Sequence, residues 1–389
     1  MTTSPTAPVA DLDHAATTAL RPEVAEAMAP FGADRYGNPS GTHRLARDAV
    51  RAVDEARERV AAVLGCEPGE VVFTSGGTEA DNHAVTGGMP PRDGVPVCSA
   101  VEHHAVLEPV EALGGRTVRV DPTGRVDLDH LASVLDELGS SASVVSVMLA
   151  NNETGVVNDL DAVAEVVRTH EPEVPGVPVH TDAVQAAAWL DLAVAARAAD
   201  LVSVSAHKLG GPKGVGALVA RRHAHLRPLL LGGGQERGRR SGTLNVAGIV
   251  GFAAALEAAA AEREEATDRV AKLRDRLAEG LAATVPGLVR TVPDGAAPVL
   301  PSVLHVCIEG VESETLLFLL ESDGVMASAA ASCASGAQEP SHVLAAMGVP
   351  TGLARGSLRL SLGWSSTERD VDLALRAVPA AVERVRSFG

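Results

Sequence analysis

The segment that decides the fold is Leu201-Val202-Ser203-Val204-Ser205-Ala206-His207-Lys208, an apolar and β-branched run that ends in a lysine. A second run of the same kind, Val177-Pro178-Val179-His180, continues into Thr181-Asp182-Ala183-Val184-Gln185. Runs that are apolar on both faces are typical of strands in a covered parallel sheet. We therefore predict two buried strands whose carboxyl ends carry Lys208 and Asp182.

The first two-thirds of the chain alternate between such runs and helical patterns. Between residues 43 and 64, apolar side chains recur at helical spacing, and Gly65 supplies a stop signal. This alternation predicts an α/β domain with a mainly parallel sheet and right-handed crossovers. The other strand-like runs of this region are 71–73, 95–98, 144–149 and 216–219.

The pattern changes near Phe252, where a long helix rich in Ala and in charged residues begins. We predict this helix to reach residue 283, with a possible break at Gly280, and we predict that Thr367 and Asp370 cap the last helix. The C-terminal third is typical of a smaller α+β domain. We place the large α/β domain at 15–255 and the small domain at 256–389 together with 1–14, with further strands at 303–308 and 358–362 and a helix at 313–320.

Composition excludes several classes of protein. The 389 residues carry a formal net charge of −17, which disfavours nucleic acid and anionic membrane surfaces as direct partners. The sequence has no apolar run long enough to cross a membrane and no signal peptide pattern at its start. We expect a cytoplasmic protein.

The four cysteines, Cys66, Cys98, Cys307 and Cys333, do not form a CxxC pair or a zinc-site spacing. We interpret them as reduced thiols, and we expect no metal site. Cys98 and Cys307 lie in apolar strands and are typical of small buried residues, and Cys66 is interpreted as an incidental surface thiol. Cys333 differs because it stands in a loop of Ala, Ser and Gly, which could present a thiol, with a small buried cysteine as the alternative.

An acid and a lysine at neighbouring strand ends are what a pyridoxal phosphate site needs. The lysine binds the aldehyde covalently, and the acid keeps the pyridine nitrogen protonated so that the ring can accept electrons. Open α/β sheets bind ligands at the carboxyl ends of their strands, where Lys208 and Asp182 are predicted to lie. Taken singly, Asp182 could be a helix cap and Lys208 a solvated loop residue.

Other motifs follow predicted strands. Ser75-Gly76-Gly77-Thr78-Glu79 could cradle a phosphate at a helix N-terminus, although such a motif alone is more often a plain turn. Glu102-His103-His104 offers a histidine that could lie against a ring or move a proton. Asn152 could reach the cofactor or substrate by its amide, and Arg359 could bind a carboxylate, with an ordinary turn and a surface salt bridge as the alternatives.

Together these motifs resemble the cysteine desulfurases of the pyridoxal phosphate-dependent class V aminotransferase superfamily. The likeness runs from Leu12 to about Asp370, and the segment around Cys333 resembles the branch with a long, mobile cysteine loop. It implies a fold-type I architecture with a seven-stranded, mainly parallel sheet. The blocks that carry it are Leu12–Thr18, Tyr36-Gly37-Asn38-Pro39-Ser40, Thr74–Glu79, Asn151-Asn152-Glu153-Thr154-Gly155, His180–Gln185, Ser205–Lys208, Arg240–Asn245 and Ser332–Ser341.

The resemblance implies a role for each site residue. Lys208 would bind the aldehyde of pyridoxal 5'-phosphate and move protons, while Asp182 would pair with the ring nitrogen. The ring's phenolic oxygen would be bound by Gln185, and His103 would stack on the ring as an acid or base. Phosphate binding would fall to Gly77, Thr78, Ser205 and His207, with Thr243 contributed by the partner subunit of a homodimer.

For the substrate, the resemblance implies that Asn152 and Arg359 hold the carboxylate of L-cysteine. Cys333 would attack the substrate sulfur, giving L-alanine and a persulfide for a sulfur-acceptor protein in iron–sulfur cluster assembly, tRNA thiolation or thio-cofactor synthesis. The alternatives within the same family are a selenocysteine lyase and another carbon–sulfur lyase. A non-catalytic interaction protein and a nucleotide-binding α/β protein are the alternatives from other classes; Lys208, Asp182 and Cys333 disfavour the first, and missing phosphate-loop patterns disfavour the second.

Overall fold

The computed structural model describes residues 9–88, 94–170, 176–329 and 341–388, so Cys333 lies outside the described residues. The strands are β1 (Ala10–Asp11), β2 (Val71–Thr74), β3 (Val95–Ser99), β4 (Arg116–Val118), β5 (Ala142–Ser146), β6 (Val179–Asp182), β7 (Leu201–Ser205), β8 (Gly216–Ala220), β9 (Leu288–Arg290), β10 (Val303–Ile308), β11 (Val325–Met326) and β12 (Ser357–Ser361). The α-helices are α1 (Pro22–Gly32), α2 (Arg44–Leu64), α3 (Gly77–Gly87), α4 (His104–Ala112), α5 (Leu128–Leu138), α6 (Leu160–Thr169), α7 (Leu192–Ala195), α8 (Val246–Thr284), α9 (Ser313–Ser322), α10 (His342–Ala346), α11 (Thr351–Ala354) and α12 (Glu368–Phe388).

Seven strands form the main sheet in the order β2-β8-β7-β6-β5-β3-β4. Strand β8 is antiparallel to both of its neighbours, while the remaining adjacent pairs are parallel. All five residues of β7 and all four of β6 are buried, as their apolar runs predicted. The predicted α/β class and its seven-stranded, mainly parallel sheet are therefore confirmed.

Helix α2 begins and ends at residues that are typical helix caps. Helix α2 begins after His43, whose Nδ1 accepts a hydrogen bond from the amide of Ala46 at 3.3 Å. It ends at Gly65, which has the left-handed φ of 63° that glycine adopts without strain. The predicted helix at 43–64 is confirmed to within one residue.

The prediction of a possible break at Gly280 is wrong, because α8 continues without interruption from Val246 to Thr284. A Cβ at Gly280 would lie 2.4 Å from Leu375 Cδ2, so this glycine permits close packing against α12. Helix α8 also crosses the predicted domain boundary at residue 255. That boundary stays a prediction.

The C-terminal part has its own antiparallel sheet, ordered β12-β10-β9, and a parallel pair of β1 with β11. Ala10 and Leu12 from the N-terminal segment are buried in the same apolar cluster as residues of α8, α9, β10 and α12. Asp370 accepts a hydrogen bond from the Thr367 amide at 2.8 Å, which caps α12 as predicted. Among the described helices, none is both long and apolar enough to cross a membrane.

Candidate active site

The carboxyl ends of β6 and β7 bring the predicted acid and lysine to one edge of the sheet. Asp182 is the last residue of β6 and pairs in register with Ser203 of β7. Lys208 closes a single 3₁₀ turn, Ala206–Lys208, that directly follows β7. Because the two strands are adjacent and parallel, their ends open on the same side of the sheet, where α/β proteins bind ligands.

Lys208 is held by backbone oxygens rather than by a carboxylate. Its Nζ donates hydrogen bonds to the carbonyl oxygens of Ala15 at 2.5 Å and Ala16 at 2.8 Å. Burial, and next the charge of Arg359, lower the pKa of Lys208 to about 8, although Asp182 and Asp13 oppose the shift. A large share of the amine is therefore neutral near pH 8, the form that attacks an aldehyde.

Asp182 is a buried acid, with 6% of its surface exposed. Burial raises its pKa, while a hydrogen bond from the Val184 amide to Oδ1 at 2.8 Å and the charges of His103 and Lys208 lower it. A buried carboxyl of this kind is stabilised most by a cation brought against it. The site can thus accept a protonated ring nitrogen at Asp182.

His103 occupies the N-cap of α4, and its Nδ1 accepts a hydrogen bond from the Ala105 amide at 3.1 Å. Burial is the main cause that lowers the pKa of His103, so the neutral ring predominates near pH 7. In the neutral ring Nδ1 is the acceptor, and the proton therefore lies on Nε2. His103 can donate a proton or a hydrogen bond through that nitrogen.

The N-terminus of α3 has the features of an anion cradle. Gly77 opens the helix, and a Cβ there would meet Val184 Cγ2 at 2.9 Å, so only glycine fits without a shift. Ser205 stands close by, since the same added Cβ would lie 3.6 Å from Ser205 Cβ. Within the described part of the chain, the buried Ser205 hydroxyl has no hydrogen-bond partner, which marks it as a donor for a ligand.

His207 and Thr78 lie at the same edge. His207 Nδ1 is 3.1 Å from the hydroxyl of Thr17, and burial lowers the pKa of His207 to about 4, so the ring is neutral at pH 7. Thr78 is exposed in the first turn of α3. Gln185 Nε2 donates a hydrogen bond to the carbonyl oxygen of Ala15 at 2.9 Å, and Lys208 Nζ donates to the same oxygen.

Arg359 reaches the site from β12 and is buried rather than exposed on the surface. Its Nη1 donates to the backbone oxygen of Asn152 at 2.9 Å, and its Nη2 pairs with Asp13 Oδ1 at 2.7 Å. Its Nε is buried and has no partner in the described ranges. Arg359 thus keeps a donor for a further acceptor, such as a substrate carboxylate.

Two predicted residues are not brought into this group. Cys333 lies outside the described residues, and Thr243 is exposed on the segment before α8. Burial raises the pKa of Cys66 to about 11 and also raises the pKa of Cys98 and Cys307. These three cysteines are therefore protonated near pH 7 and poor nucleophiles.

Sequence patterns gave no role to Asp13, Glu153 or Ser341, which the fold brings to the site's edge. The Ser341 hydroxyl donates to Glu153 Oε2 at 2.5 Å and caps α10 by accepting from the Leu344 amide. Burial raises the pKa of Glu153 to about 7. The signal for Asp13 was its place in the block Leu12–Thr18, but its partner Arg359 is 346 residues away.

Comparisons with known proteins identify the class. A family model described as "Aminotransferase class-V" matches residues 11–374, and the chain belongs to that family.

The most informative relatives are cysteine desulfurases. The chain is 44% identical over 390 residues to the IscS-like cysteine desulfurase of Mycobacterium tuberculosis, covering 97% of both chains. It is 41% identical over 385 residues to the cysteine desulfurase IscS of Methanosarcina thermophila, covering 97% of this chain and 93% of that one. Among solved structures, a NifS-like protein superposes with a TM-score of 0.86 at 36% identity, covering 97% of this chain and 100% of the other.

Proposed function

We propose that this protein is a pyridoxal phosphate-dependent L-cysteine desulfurase. The observation that carries the proposal is the juxtaposition of Lys208, whose pKa is lowered, with the buried Asp182 at adjacent strand ends. Its similarity to cysteine desulfurases over almost its whole length supports the choice of substrate.

The residues fit the cofactor. Gly77 and the partnerless hydroxyl of Ser205 suit a phosphate group, with Thr78 and His207 beside them. The carboxyl of Asp182 suits a protonated ring nitrogen, and His103 and Gln185 suit the ring's face and its phenolic oxygen. Pyridoxal 5'-phosphate, when bound, supplies an electron sink for negative charge on the substrate carbon.

The chain's own groups would then handle the substrate and the protons. Arg359 and Asn152 bind the carboxylate of L-cysteine and fix its orientation. Lys208 moves protons at the substrate's α-carbon through its neutral Nζ, and His103 can donate one from Nε2. Because the ammonium of Lys208 is disfavoured, the amine can both take and release a proton near pH 8.

Cys333 performs the sulfur transfer in this proposal. Its thiolate attacks the substrate sulfur, so that a sulfur–sulfur bond forms and the carbon–sulfur bond breaks. The carbon keeps the electron pair and takes a proton, which gives L-alanine and a persulfide on Cys333. A thiol of an acceptor protein in the cytoplasm then takes the terminal sulfur for iron–sulfur cluster assembly, tRNA thiolation or thio-cofactor synthesis.

We also propose a homodimer in which Thr243 reaches the phosphate of the partner's site. Support comes from large exposed apolar side chains next to the segment that carries Thr243. Leu231 is 85% exposed, and Leu230, which is 42% exposed, pairs with Arg240 in a β-bridge. Tyr36 is exposed by 69% as well. Exposed groups of this kind are typical of interfaces.

The test compares two cysteine variants of the full chain. Cys333→Ser should bind the cofactor with the wild-type absorption spectrum but release alanine from L-cysteine at least about 100-fold more slowly, because serine cannot form a persulfide. Cys66→Ser, which removes a thiol of raised pKa, should keep wild-type rates. Alanine and sulfide assays measure both, and undiminished sulfur transfer by Cys333→Ser would place the nucleophile elsewhere.

A further inference from the structure

Asp81 is a buried acid to which the proposed reaction gives no task. It lies on α3, one turn after Gly77, and only 1% of its surface is exposed. Helix α3 packs on the face of the main sheet formed by β6 and β7. In these strands His180 and Asp182 lie two residues apart, and Ser203 is paired with Asp182, so all three side chains share a face.

Within the described ranges, Asp81 forms no ion pair with a lysine or an arginine. The basic atom that lies against it is His180 Nε2, 3.6 Å from Asp81 Oδ1. That histidine is fully buried, and its ring nitrogens already lie within hydrogen-bond distance of the hydroxyls of Ser146 (2.8 Å) and Ser203 (3.0 Å). Burial lowers the pKa of His180 to about 3, so its ring is neutral.

One carboxyl oxygen of Asp81 is left without a partner. Its Oδ1 is buried and makes no hydrogen bond to any described residue. An ionised carboxylate in such a place would pay a large desolvation cost without compensation, whereas a protonated one would not. Burial and then the charge of Asp182 raise the pKa of Asp81, a hydrogen bond from Ser203 opposes this, and Glu102 adds to it.

Glu79, two residues earlier on α3, provides the contrast. Its carboxylate accepts hydrogen bonds from Arg240 Nε at 2.7 Å, from Arg240 Nη2 at 3.1 Å and from the Ser75 amide. Although burial opposes the shift, these hydrogen bonds lower the pKa of Glu79. The helix that opens the phosphate cradle thus carries one acid balanced by an arginine and one with no basic partner.

We propose that Asp81 is a positioning residue that stays protonated at neutral pH, so that Asp182 is the one ionised acid behind the ring and Asp81 adds no charge near the phosphate cradle. The inference rests on the proposed function, because it concerns how the same site holds its cofactor. The described titratable groups that act on Asp81 are consistent with this proposal. His180 is neutral, Glu102 is an acid whose pKa burial raises, and Asp182 is the acid that would pair with a ring cation.

The first measurement is an infrared difference spectrum at pH 8 between the wild-type protein and Asp81→Asn, both loaded with cofactor. Wild-type protein should show the absorption of one protonated carboxylic acid that the variant lacks. If the difference instead shows an ionised carboxylate, the proposal is overturned. Asparagine has the shape of a protonated aspartate, so we expect Asp81→Asn to fold.

The second measurement is cofactor affinity of the cofactor-free protein, followed by absorbance from pH 6 to 9. Asp81→Asn should bind within about threefold of wild type at each pH, since it changes no charge. Asp81→Leu should bind about 10-fold more weakly, because the buried Ser203 hydroxyl loses the Asp81 oxygen to which it is hydrogen-bonded. Ser203 is paired with Asp182 in the sheet, so its loss of a partner acts next to the cofactor site. Wild-type affinity in Asp81→Leu, or a pH-dependent change in Asp81→Asn, would overturn the proposal.

Asp182→Asn separates this inference from the proposed function. This variant should lose cofactor affinity by more than about 10-fold, because it removes the charge that pairs with the ring. If Asp182→Asn binds like wild type, the cofactor site itself is misassigned. If Asp182→Asn and Asp81→Asn both weaken cofactor binding, the cofactor site is assigned correctly and only the protonation of Asp81 is refuted.

Discussion

Lys208, which is half-buried after the end of β7, and Arg359, which is buried in the middle of β12, are two cationic groups of one site with different partners. Lys208 donates hydrogen bonds to the backbone oxygens of Ala15 and Ala16, and burial lowers its pKa to about 8. Arg359 is given the carboxylate of Asp13 as well as the Asn152 carbonyl. The lysine can therefore lose its proton near pH 8, whereas the arginine lies against a carboxylate.

This contrast shows that the chemistry of each cation depends both on its residue type and on the partners that the fold supplies. A lysine with no direct carboxylate contact becomes a nucleophile and base. An arginine does not lose its proton, and its planar fork suits the binding of a carboxylate. The charge of Arg359 is itself the second cause of the lowered pKa of Lys208, so the two regions act on each other.

The largest expected effect comes from removing the lysine. Lys208→Ala should abolish covalent attachment of the cofactor and slow alanine formation by at least about 1,000-fold, because it removes the amine that binds the aldehyde and moves the protons. Borohydride reduction followed by mass spectrometry measures the attachment. Lys272→Ala, at an exposed lysine on α8, is the control and should keep both properties. Retained attachment in Lys208→Ala would refute the assignment.

The sequence predicted the sheet because its central strands are continuous apolar runs whose character does not depend on distant residues. It did not predict β4, since Arg116 and Thr117 are exposed and leave one buried residue, Val118, as a signal. The predicted strand at 144–149 is observed as Ala142–Ser146, because the Met148 amide leaves the ladder to donate to Glu102 at 2.6 Å. The end of β5 thus depends on Glu102, a residue that is distant in the sequence.

The candidate site was predictable to the extent that its residues follow strands directly. Lys208 and Asp182 meet because adjacent parallel strands end together, and a local pattern is enough to infer it. Asp13 and Arg359 meet across 346 residues of sequence, and Asp81 meets His180 only through the packing of α3 on the sheet. Such pairs depend on packing that no single segment of the chain encodes.

The second effect tests the fixed charge of the arginine. Arg359→Gln should raise KM for L-cysteine by about 30- to 100-fold, with a smaller change in kcat, since it removes a charge-assisted contact to the carboxylate. Arg290→Gln is the control, on strand β9 at the opposite edge of the same small sheet, and it should leave KM unchanged. An unchanged KM in Arg359→Gln would assign carboxylate binding to another group.

The smallest expected effect is a shift in the pH midpoint of cofactor addition, which measures how strongly Arg359 acts on Lys208. Cofactor addition to the cofactor-free protein needs the neutral amine of Lys208, so its rate should rise with pH through a midpoint near 8 and level off above it. Because the cation of Arg359 disfavours the ammonium of Lys208, Arg359→Gln should move this midpoint upward.

Stability gives an independent measure of the same group. The unfolded chain holds the Lys208 proton up to its ordinary pKa of 10.5, whereas the folded, cofactor-free chain releases it near 8. Between those values the unfolded state binds more protons, so the free energy of unfolding should rise with pH across this window. Lys208→Met should flatten that rise in denaturant titrations. If the midpoint does not move in Arg359→Gln while Lys208→Met still flattens the stability profile, the two cations do not interact and burial alone lowers the pKa of Lys208. A stability profile that Lys208→Met leaves unchanged would refute the lowered pKa itself.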